Sequence, residues 1–299
     1  MAKIGVFDSG YGGLTILKEI RKVLPEYDYL YLGDNARAPY GTHSFDVIYR
    51  YTLEAVKYLF EQDCALVILA CNTASAKALR TIQQKDLLLI NGENGDAALN
   101  GEKAKRNVLG VIRPTVEAVP AITKSGHVGI LATPATVSSE SYVLELEKIA
   151  NSQELKAKSL VVTQQACPMW VPLIEAGEHE SDGAKYFVGK YMREILAKDP
   201  QIDTLVLGCT HYPLLKEKIG QWIMDNGQKT EMLQPIQIIS QGTLVADSLK
   251  DYLNRHPEYR EQLSEGGTCH YLTTENADRF SQSASLFLDC SVRAEHVDL

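Results

Sequence analysis

Two cysteines occupy nearly identical settings far apart in this chain. Cys71 closes an apolar run that ends at Leu69, and Cys209 closes one that ends at Leu207. Each run is typical of a buried strand, and polar residues that favour the start of a helix follow each thiol at once. A fold that places both thiols around one pocket would hold two acid/base groups on opposite faces of one substrate atom. This pairing is the strongest indication of chemistry in the sequence.

The setting of these two thiols also predicts their reactivity. We expect each to lie at the N-terminal end of a helix, where the helix dipole lowers the thiol pKa below about 8.5 and favours the thiolate. Pro213, shortly after Cys209, supports a helix start there. We expect the remaining cysteines, which lack such polar neighbours, to be small buried hydrophobes. They are Cys64, Cys167, Cys269 and Cys290.

Other polar residues of catalytic type also stand where apolar runs end. Open α/β sheets bind ligands beyond the carboxyl ends of their strands. Any one such residue is equally well explained as a cap of the next helix, but their joint occurrence favours a common site. His211 can tune the Cys209 thiol or bind a carboxylate, or it can be a core histidine. The residues at these ends are Asp8, Ser9, Asp34, Asn72, Thr73, Thr210 and His211.

Two turns add possible backbone donors. The glycine-rich turn at 8–13 leads into a helix and would suit an anion such as a carboxylate, although its glycines can also serve close packing. It lacks the Gly-x-Gly-x-x-Gly and P-loop patterns, so nucleotide binding is poorly supported. The turn of Pro39, Tyr40 and Gly41 can likewise face a ligand or be a surface turn.

The elements that must position these residues alternate between strand and helix, which predicts an α/β fold with doubly wound, mainly parallel sheets. We expect two domains, the first formed by residues 1–113 and 239–299 and the second by residues 114–238. The two cysteine junctions suggest a weak internal duplication. Strands are expected at 4–7, 29–32, 65–70, 108–112, 127–131, 160–162, 204–207, 235–239 and 269–272.

Helices are expected in the segments between these strands, and one stretch breaks the alternation. Residues 91–106 are rich in Gly, Asn and charge, and we interpret them as an exposed loop. Pro114 suits the first position of a helix. The other predicted helices are 14–24, 44–61, 73–84, 134–150, 182–196 and 242–253.

Composition excludes several classes of protein. The 299 residues carry a formal net charge of −8, which argues against a nucleic-acid footprint. No signal peptide is visible, and no apolar run approaches the roughly 20 residues of a membrane span. The cysteines and histidines have no metal-ligand spacing, so we expect no metal. Free thiols are typical of a reducing cytoplasm.

The chain resembles the glutamate racemases of the aspartate/glutamate racemase superfamily. The matching segments follow the family's order and span most of the chain, which makes the resemblance highly specific. They include Gly-Val-Phe-Asp-Ser-Gly-Tyr-Gly-Gly-Leu at 5–14, Tyr-Leu-Gly-Asp at 31–34, Pro-Tyr-Gly at 39–41, Ala-Cys-Asn-Thr-Ala-Ser-Ala at 70–76, Leu-Ala-Thr-Pro-Ala-Thr-Val at 131–137 and Gly-Cys-Thr-His-Tyr-Pro-Leu-Leu at 208–215.

This resemblance implies two pseudo-symmetric α/β domains with the active site between them, and a reaction without a cofactor. It also implies a homodimer, which is common in the family, and a role in supplying D-glutamate for peptidoglycan. It implies that Cys71 deprotonates D-glutamate and Cys209 deprotonates L-glutamate. The auxiliary acid/base groups that it implies are Asp8, Asp34, Glu175 and His211. The substrate-holding residues that it implies are Asp8, Ser9, Pro39, Tyr40, Gly41, Asn72, Thr73, Thr210 and His211.

Two departures from the family pattern stand out. The usual Gly-Val-Ile-Glu-Pro-Gly stretch reads Gly-Val-Ile-Arg-Pro-Thr at 110–115, and the loop at 91–106 is longer than typical. Neither touches the thiols, but both bear on domain closure, dimer contacts or regulation.

Three other functions stay open at this stage. The first is a racemase for aspartate or for several amino acids, although His211 favours glutamate because aspartate relatives tend to carry Glu there. The second is a thiol hydrolase that uses Cys209 with His211, which is disfavoured because such pairs usually come from separated segments. The third is an amino-acid-binding module without catalysis. Incorporation of solvent deuterium at Cα separates the racemases from the other two.

Overall fold

The computed structural model describes residues 1–92, 105–151, 160–227 and 235–299. Its strands form two sheets in which every pairing within these ranges is parallel. The first sheet contains β1 (Lys3–Asp8), β2 (Tyr29–Gly33), β3 (Cys64–Leu69), β4 (Asn107–Gly110), β9 (Cys269–Thr273) and β10 (Ala294–His296), in the order β10-β9-β2-β1-β3-β4. The second contains β5 (His127–Ala132), β6 (Val161–Ala166), β7 (Thr204–Gly208) and β8 (Gln237–Ile239), in the order β6-β5-β7-β8.

Helices connect these strands and cover the sheets. Three 3₁₀ turns lie at Asn35–Arg37, Tyr40–Thr42 and Tyr212–Leu215, and Ile82–Asp86 is π-helical. In the described ranges no helix is both long and apolar enough to cross a membrane. The α-helices are α1 (Gly13–Val23), α2 (Phe45–Glu61), α3 (Asn72–Lys77), α4 (Leu79–Thr81), α5 (Leu87–Ile90), α6 (Ile112–Ile122), α7 (Pro134–Ser138), α8 (Ser141–Ala150), α9 (Trp170–Glu175), α10 (Asp182–Lys198), α11 (Lys216–Asn226), α12 (Gln241–Arg255), α13 (Pro257–Arg260) and α14 (Ala277–Leu288).

The continuous apolar runs form strands because a parallel sheet with helices on both faces buries both sides of each strand. All six residues of β3 are buried, as are all five of β7. The registers align the carboxyl ends within each sheet: Phe7 lies opposite Leu69 in the first, and Ala132 lies opposite Gly208 in the second. The residues that follow these strands therefore emerge together at one edge of each sheet.

The expected α/β class with parallel sheets is confirmed. The first sheet draws its strands from residues 3–110 and 269–296, and the second from residues 127–239. Helix α12 packs against α1 of the first part and also against α6. The domain boundaries given above stay a prediction.

Several element bounds differ from expectation. The strand predicted at 108–112 ends at Gly110, because its partner β3 ends at Leu69 opposite Gly110, and α6 begins two residues before Pro114. The helix predicted at 134–150 is two helices, α7 and α8, separated where Glu140 adopts a left-handed φ of 54°. Most of the loop predicted at 91–106, residues 93–104, lies outside the described residues.

Candidate active site

A cavity of about 80 Å³ lies where the carboxyl ends of the two sheets meet, enough space for several water molecules or one small ligand. Both Cys71 and Cys209 line it, and each has a relative exposure of 6%. Among the predicted site residues only Asp34 is missing from its walls. The others that line it are Asp8, Ser9, Pro39, Tyr40, Gly41, Asn72, Thr73, Glu175, Thr210 and His211.

Cys71 lies between the end of β3 and the start of α3. Its sulfur accepts the Ala74 N–H at 3.5 Å as the cap of α3, and the hydroxyl of Ser9 lies 3.4 Å from it. Ser9 comes from the end of the neighbouring strand β1. The parallel register of β1 and β3 therefore brings this hydroxyl to the thiol.

The predicted lowering of the Cys71 pKa is wrong. Burial and, to a smaller extent, the carboxylate of Asp8 raise the pKa of the thiol, and the hydrogen bonds from Ser9 and Ala74 only partly offset this, so that the pKa is about 12. Helix α3 has six residues, and the dipole of so short a helix does not overcome desolvation. Cys71 is therefore protonated at neutral pH in the unliganded protein.

Cys209 has a different partner. Nδ1 of His211 lies 3.8 Å from its sulfur, and Nε2 of His211 lies 2.8 Å from Oε1 of Glu175. Burial lowers the pKa of His211, but its hydrogen bonds to Cys209 and Glu175 outweigh burial and raise that pKa well above its ordinary value. The imidazole is therefore held as an imidazolium, and its positive charge lies next to the Cys209 sulfur.

The expected helix start directly after Cys209 is also wrong. A 3₁₀ turn at Tyr212–Leu215 follows, and α11 begins only at Lys216. The charge next to this thiol comes from a side chain rather than from a helix end. Gly12 makes room for the side chain of His211, because a Cβ at position 12 would lie 2.3 Å from Nδ1 of His211. Close packing thus accounts for this glycine of the turn at 8–13.

Asp8 is the buried acid of the Cys71 side. Its Oδ2 accepts the N–H of Gly10 at 2.9 Å, whereas Oδ1 is buried without a hydrogen-bond partner. Burial raises the pKa of this carboxyl, and nearby His211 partly opposes the rise. A buried carboxylate oxygen that lacks a partner is costly unless a ligand supplies a donor.

Asp34 lies behind the cavity wall rather than in it. Its Oδ2 accepts Nε of Arg37 at 2.7 Å and the hydroxyl of Tyr40, and its Oδ1 accepts the Thr274 hydroxyl at 2.9 Å. The structure thus brings Asp34 to Tyr40, which does line the cavity. This placement favours support of Tyr40 over contact with a reacting atom.

The second sheet contributes wall residues that the sequence analysis did not select. Thr133 and Pro134 directly follow β5, and the Thr133 hydroxyl lies 3.0 Å from that of Thr73. Cys167 and Pro168 directly follow β6. The strand-end rule would have found Cys167 if the predicted strand at 160–162 had continued to its actual end at Ala166. Val171 and Pro172 of α9 complete this wall.

The groups brought together in the cavity wall are ones that can donate or accept a proton. In the described ranges no group of three or more His, Cys, Asp or Glu side chains is placed to hold a metal ion. One protonated thiol and one thiol beside an imidazolium instead share a small enclosed space. The fold and the cavity define an α/β protein with two cysteines in the wall of one cavity that has room for a small molecule.

The chain belongs to the Asp/Glu/hydantoin racemase family, whose model matches residues 14–241. It is accordingly an isomerase, an amino-acid racemase. The chain is 38% identical to the glutamate racemase of Ruegeria sp. (strain TM1040) over 95% of this chain and 96% of that protein.

Solved structures agree with this assignment. Glutamate racemase isoform RacE1 from Bacillus anthracis superposes with a TM-score of 0.81 at 29% identity, covering 100% of this chain and 98% of that one. Glutamate racemase from Francisella tularensis, solved in complex with D-glutamate, superposes with a TM-score of 0.77 at 30% identity, covering 99% and 97%.

Proposed function

We propose that this racemase interconverts L- and D-glutamate by moving the Cα proton between Cys71 and Cys209, without a cofactor. The observation that carries the proposal is that both thiols line one enclosed cavity. Glutamate as the substrate is supported by the relatives and by the D-glutamate bound to the Francisella tularensis enzyme. We further propose a cytoplasmic homodimer that supplies D-glutamate for peptidoglycan.

The protonated state of Cys71 suits the direction from L- to D-glutamate, in which this thiol is the acid. The Cys209 thiolate, stabilised by the imidazolium of His211, removes the Cα proton, and the electron pair of the C–H bond passes into the α-carboxylate. The protonated Cys71 then delivers its proton to the opposite face of Cα. The product complex holds a Cys209 thiol and a Cys71 thiolate, which is the arrangement that the reverse reaction requires.

The carbanion-like transition state needs electrostatic stabilisation, because Cα–H is a very weak acid. In our proposal Asn72, Thr73 and Thr210 donate to the α-carboxylate, on which the charge develops. The unpartnered Oδ1 of Asp8 accepts from the α-ammonium group. Because the cavity is small, bound substrate displaces the water from it, which strengthens each of these interactions.

The test is a reaction of the purified protein with L-glutamate in deuterium oxide without added cofactor. We expect D-glutamate that carries deuterium at Cα, because the proton delivered to the second face comes from an exchanged thiol. Cys64→Ala is the matched control, since Cys64 is buried at the opposite end of β3 from Cys71; it should keep full activity. D-glutamate that retains the original proton, or no inversion at all, would contradict the proposal.

The same assay decides the alternative of an aspartate or broad-specificity racemase. A panel of L-amino acids replaces L-glutamate, and the deuterated D-product of each is measured. Turnover of aspartate equal to that of glutamate would replace glutamate as the proposed substrate.

A further inference from the structure

Behind the cavity lies a closed set of hydrogen bonds that holds one of its wall residues, Asn72. Nδ2 of Asn72 donates to Oε1 of Gln241 at 2.6 Å, and Oδ1 of Asn72 accepts from the hydroxyl of Tyr142 at 2.8 Å. Nε2 of Gln241 in turn donates to the Tyr142 hydroxyl at 2.9 Å. These three buried side chains, the Asn72 network, are joined in a ring. Neither Gln241 nor Tyr142 lines the cavity.

The direction of every bond in this network is fixed by its outer neighbours. Nε2 of Gln241 also lies 3.2 Å from the carbonyl oxygen of Val111 and 2.9 Å from the hydroxyl of Thr115, and since it carries two hydrogens, one points to Tyr142 and the other to this pair of acceptors. The carbonyl can only accept, and the Thr115 hydroxyl uses its own hydrogen on the same carbonyl at 2.8 Å. Gln241 must therefore turn its amide nitrogen towards α6 and its oxygen towards Asn72.

The same constraint passes to Asn72. A flipped Asn72 amide would set its oxygen against Oε1 of Gln241, and two buried acceptors would face each other without a proton. One Nδ2 hydrogen and one Oδ1 lone pair of Asn72 are thereby committed to the network. The other hydrogen and the other lone pair are left in a fixed orientation beside Cys71.

The ring of Tyr142 also packs against the segment that carries the second thiol. A Cβ at Gly208 would lie 3.2 Å from Cε2 of Tyr142, so the Tyr142 ring covers the residue that precedes Cys209. The hydroxyl of Tyr142 donates a hydrogen bond to Asn72, the residue that follows Cys71. One side chain from α8 thus contacts both of the segments that carry the thiols.

We propose that Tyr142 and Gln241 are positioning residues of the racemase. They lock the amide of Asn72 in the orientation that the substrate needs, and Tyr142 ties that amide to the backbone before Cys209. The inference rests on the proposed function, in which Asn72 holds the substrate. Because the two residues act through Asn72, their removal should matter only while Asn72 is present.

The experiment is a double-mutant cycle with Tyr142→Phe and Asn72→Ala, measured as kcat/KM for glutamate racemisation. We expect Tyr142→Phe to lower kcat/KM by about tenfold, because the Asn72 amide is then less well oriented and its hydrogen bond to the transition state is weakened. In the Asn72→Ala protein the same change should cost less than about twofold, because the group that it positions is gone. Equal losses in both backgrounds, or no loss in the single variant, would overturn the proposal.

Tyr29→Phe is the matched control. Tyr29 is fully buried in β2, and its hydroxyl makes one bond to the carbonyl of Leu24 at 2.6 Å. The Tyr29→Phe protein should lose stability, as Tyr142→Phe does, but keep the kcat/KM of the parent protein. If Tyr29→Phe lost as much activity as Tyr142→Phe, the effect of Tyr142 would be explained by stability alone. If Tyr142→Phe does not fold, Gln241→Met takes its place in the cycle with the same expected result.

A second readout separates this inference from the proposed function. The side-chain amide protons of Asn72, followed by NMR, should exchange slowly with solvent in the parent protein and in Tyr29→Phe. In Tyr142→Phe they should exchange at least about tenfold faster. Fast exchange in the parent protein would overturn the positioning role whatever the substrate is, whereas absence of glutamate turnover in the parent would overturn the proposed function alone.

Discussion

The two thiol sites are alike in backbone and unlike in charge. Cys71 and Cys209 each follow a buried parallel strand, and each is 6% exposed. Cys71 has the carboxylate of Asp8 for a neighbour, and its pKa rises, whereas Cys209 has the imidazole of His211. In our proposal, these two equivalent positions in the fold serve opposite tasks in the direction from L- to D-glutamate, Cys71 as the acid and Cys209 as the base.

This difference solves a problem that two equal thiols would have. If both were protonated, no base would be present to start the reaction, and if both were ionised, their charges would repel in a small dry cavity. The carboxylate of Glu175 keeps the imidazole of His211 positively charged, and this cation lies beside Cys209. The structure therefore gives a protonated thiol on the Cys71 side and a cation beside the thiol on the Cys209 side.

The largest expected effect comes from removing either thiol. Cys71→Ala and Cys209→Ala should each lower racemisation by roughly 10²–10⁴-fold, since each deletes one of the two proton-transfer groups. Solvent exchange at Cα should persist from one enantiomer only, L-glutamate in Cys71→Ala and D-glutamate in Cys209→Ala. Polarimetry and NMR in deuterium oxide measure the two rates. Full two-way turnover in Cys209→Ala would make the two-base scheme wrong.

The second prediction tests the imidazolium of the Cys209 side. Net kcat/KM must change equally in both directions, because the enantiomers have equal free energies, so single-thiol exchange is the informative measurement. In the Cys71→Ala background, His211→Asn should slow exchange into L-glutamate by about tenfold or more. In the Cys209→Ala background it should alter exchange into D-glutamate much less.

Glu175→Gln provides the graded control for this prediction. It keeps the shape of the side chain and a hydrogen-bond acceptor for His211 but removes the charge that supports the imidazolium. Its effect should have the same sign and be smaller. Equal slowing of both exchange reactions by His211→Asn would show that the histidine serves the cavity as a whole.

The third prediction compares the thiols directly by alkylation of the unliganded protein with iodoacetamide. Since the Cys71 pKa is raised to about 12, its thiolate fraction and its alkylation rate should rise roughly tenfold per pH unit between pH 7 and 9. Cys209, equally exposed, should react at least about tenfold faster at pH 7. Peptide mass spectrometry measures both rates, with exposed Cys290 as the reactive reference. Faster labelling of Cys71 would reverse the assignment of acid and base.

The smallest expected effect concerns Asp34, which supports Tyr40 from outside the cavity. Asp34→Asn should lower kcat/KM only a fewfold and the free energy of unfolding by about 1–3 kcal/mol, because a buried acceptor of three hydrogen bonds is weakened. The pH profile of kcat should not move. Asp203→Asn, a buried acid bonded to Thr123 and to the N–H groups of Lys124 and Ser125, should lose similar stability without losing activity. A displaced pH profile in Asp34→Asn would restore Asp34 as an acid/base group.

Much of the fold and of the cavity wall follows from local sequence patterns. Apolar runs such as the one before Cys71 become strands wherever a parallel sheet buries both faces, and the polar residue after each run then lies at the binding edge. The prediction from apolar runs failed for β6, because this strand contains the polar residues Thr163, Gln164 and Gln165. Its end at Ala166 was therefore missed, and so was Cys167, which follows it. The final helix α14 and strand β10 were missed as well.

The sequence by itself determined which residues stand at the strand ends, because the periods of strands and helices are local properties of the chain. Only the tertiary structure decided which charged groups lie next to each thiol. Asp8 raises the pKa of Cys71 from another strand, and Glu175 reaches His211 from α9. Burial and electrostatic interaction depend on distances in space, which a local sequence pattern does not contain. For this reason the shift of the Cys71 pKa was predicted in the wrong direction.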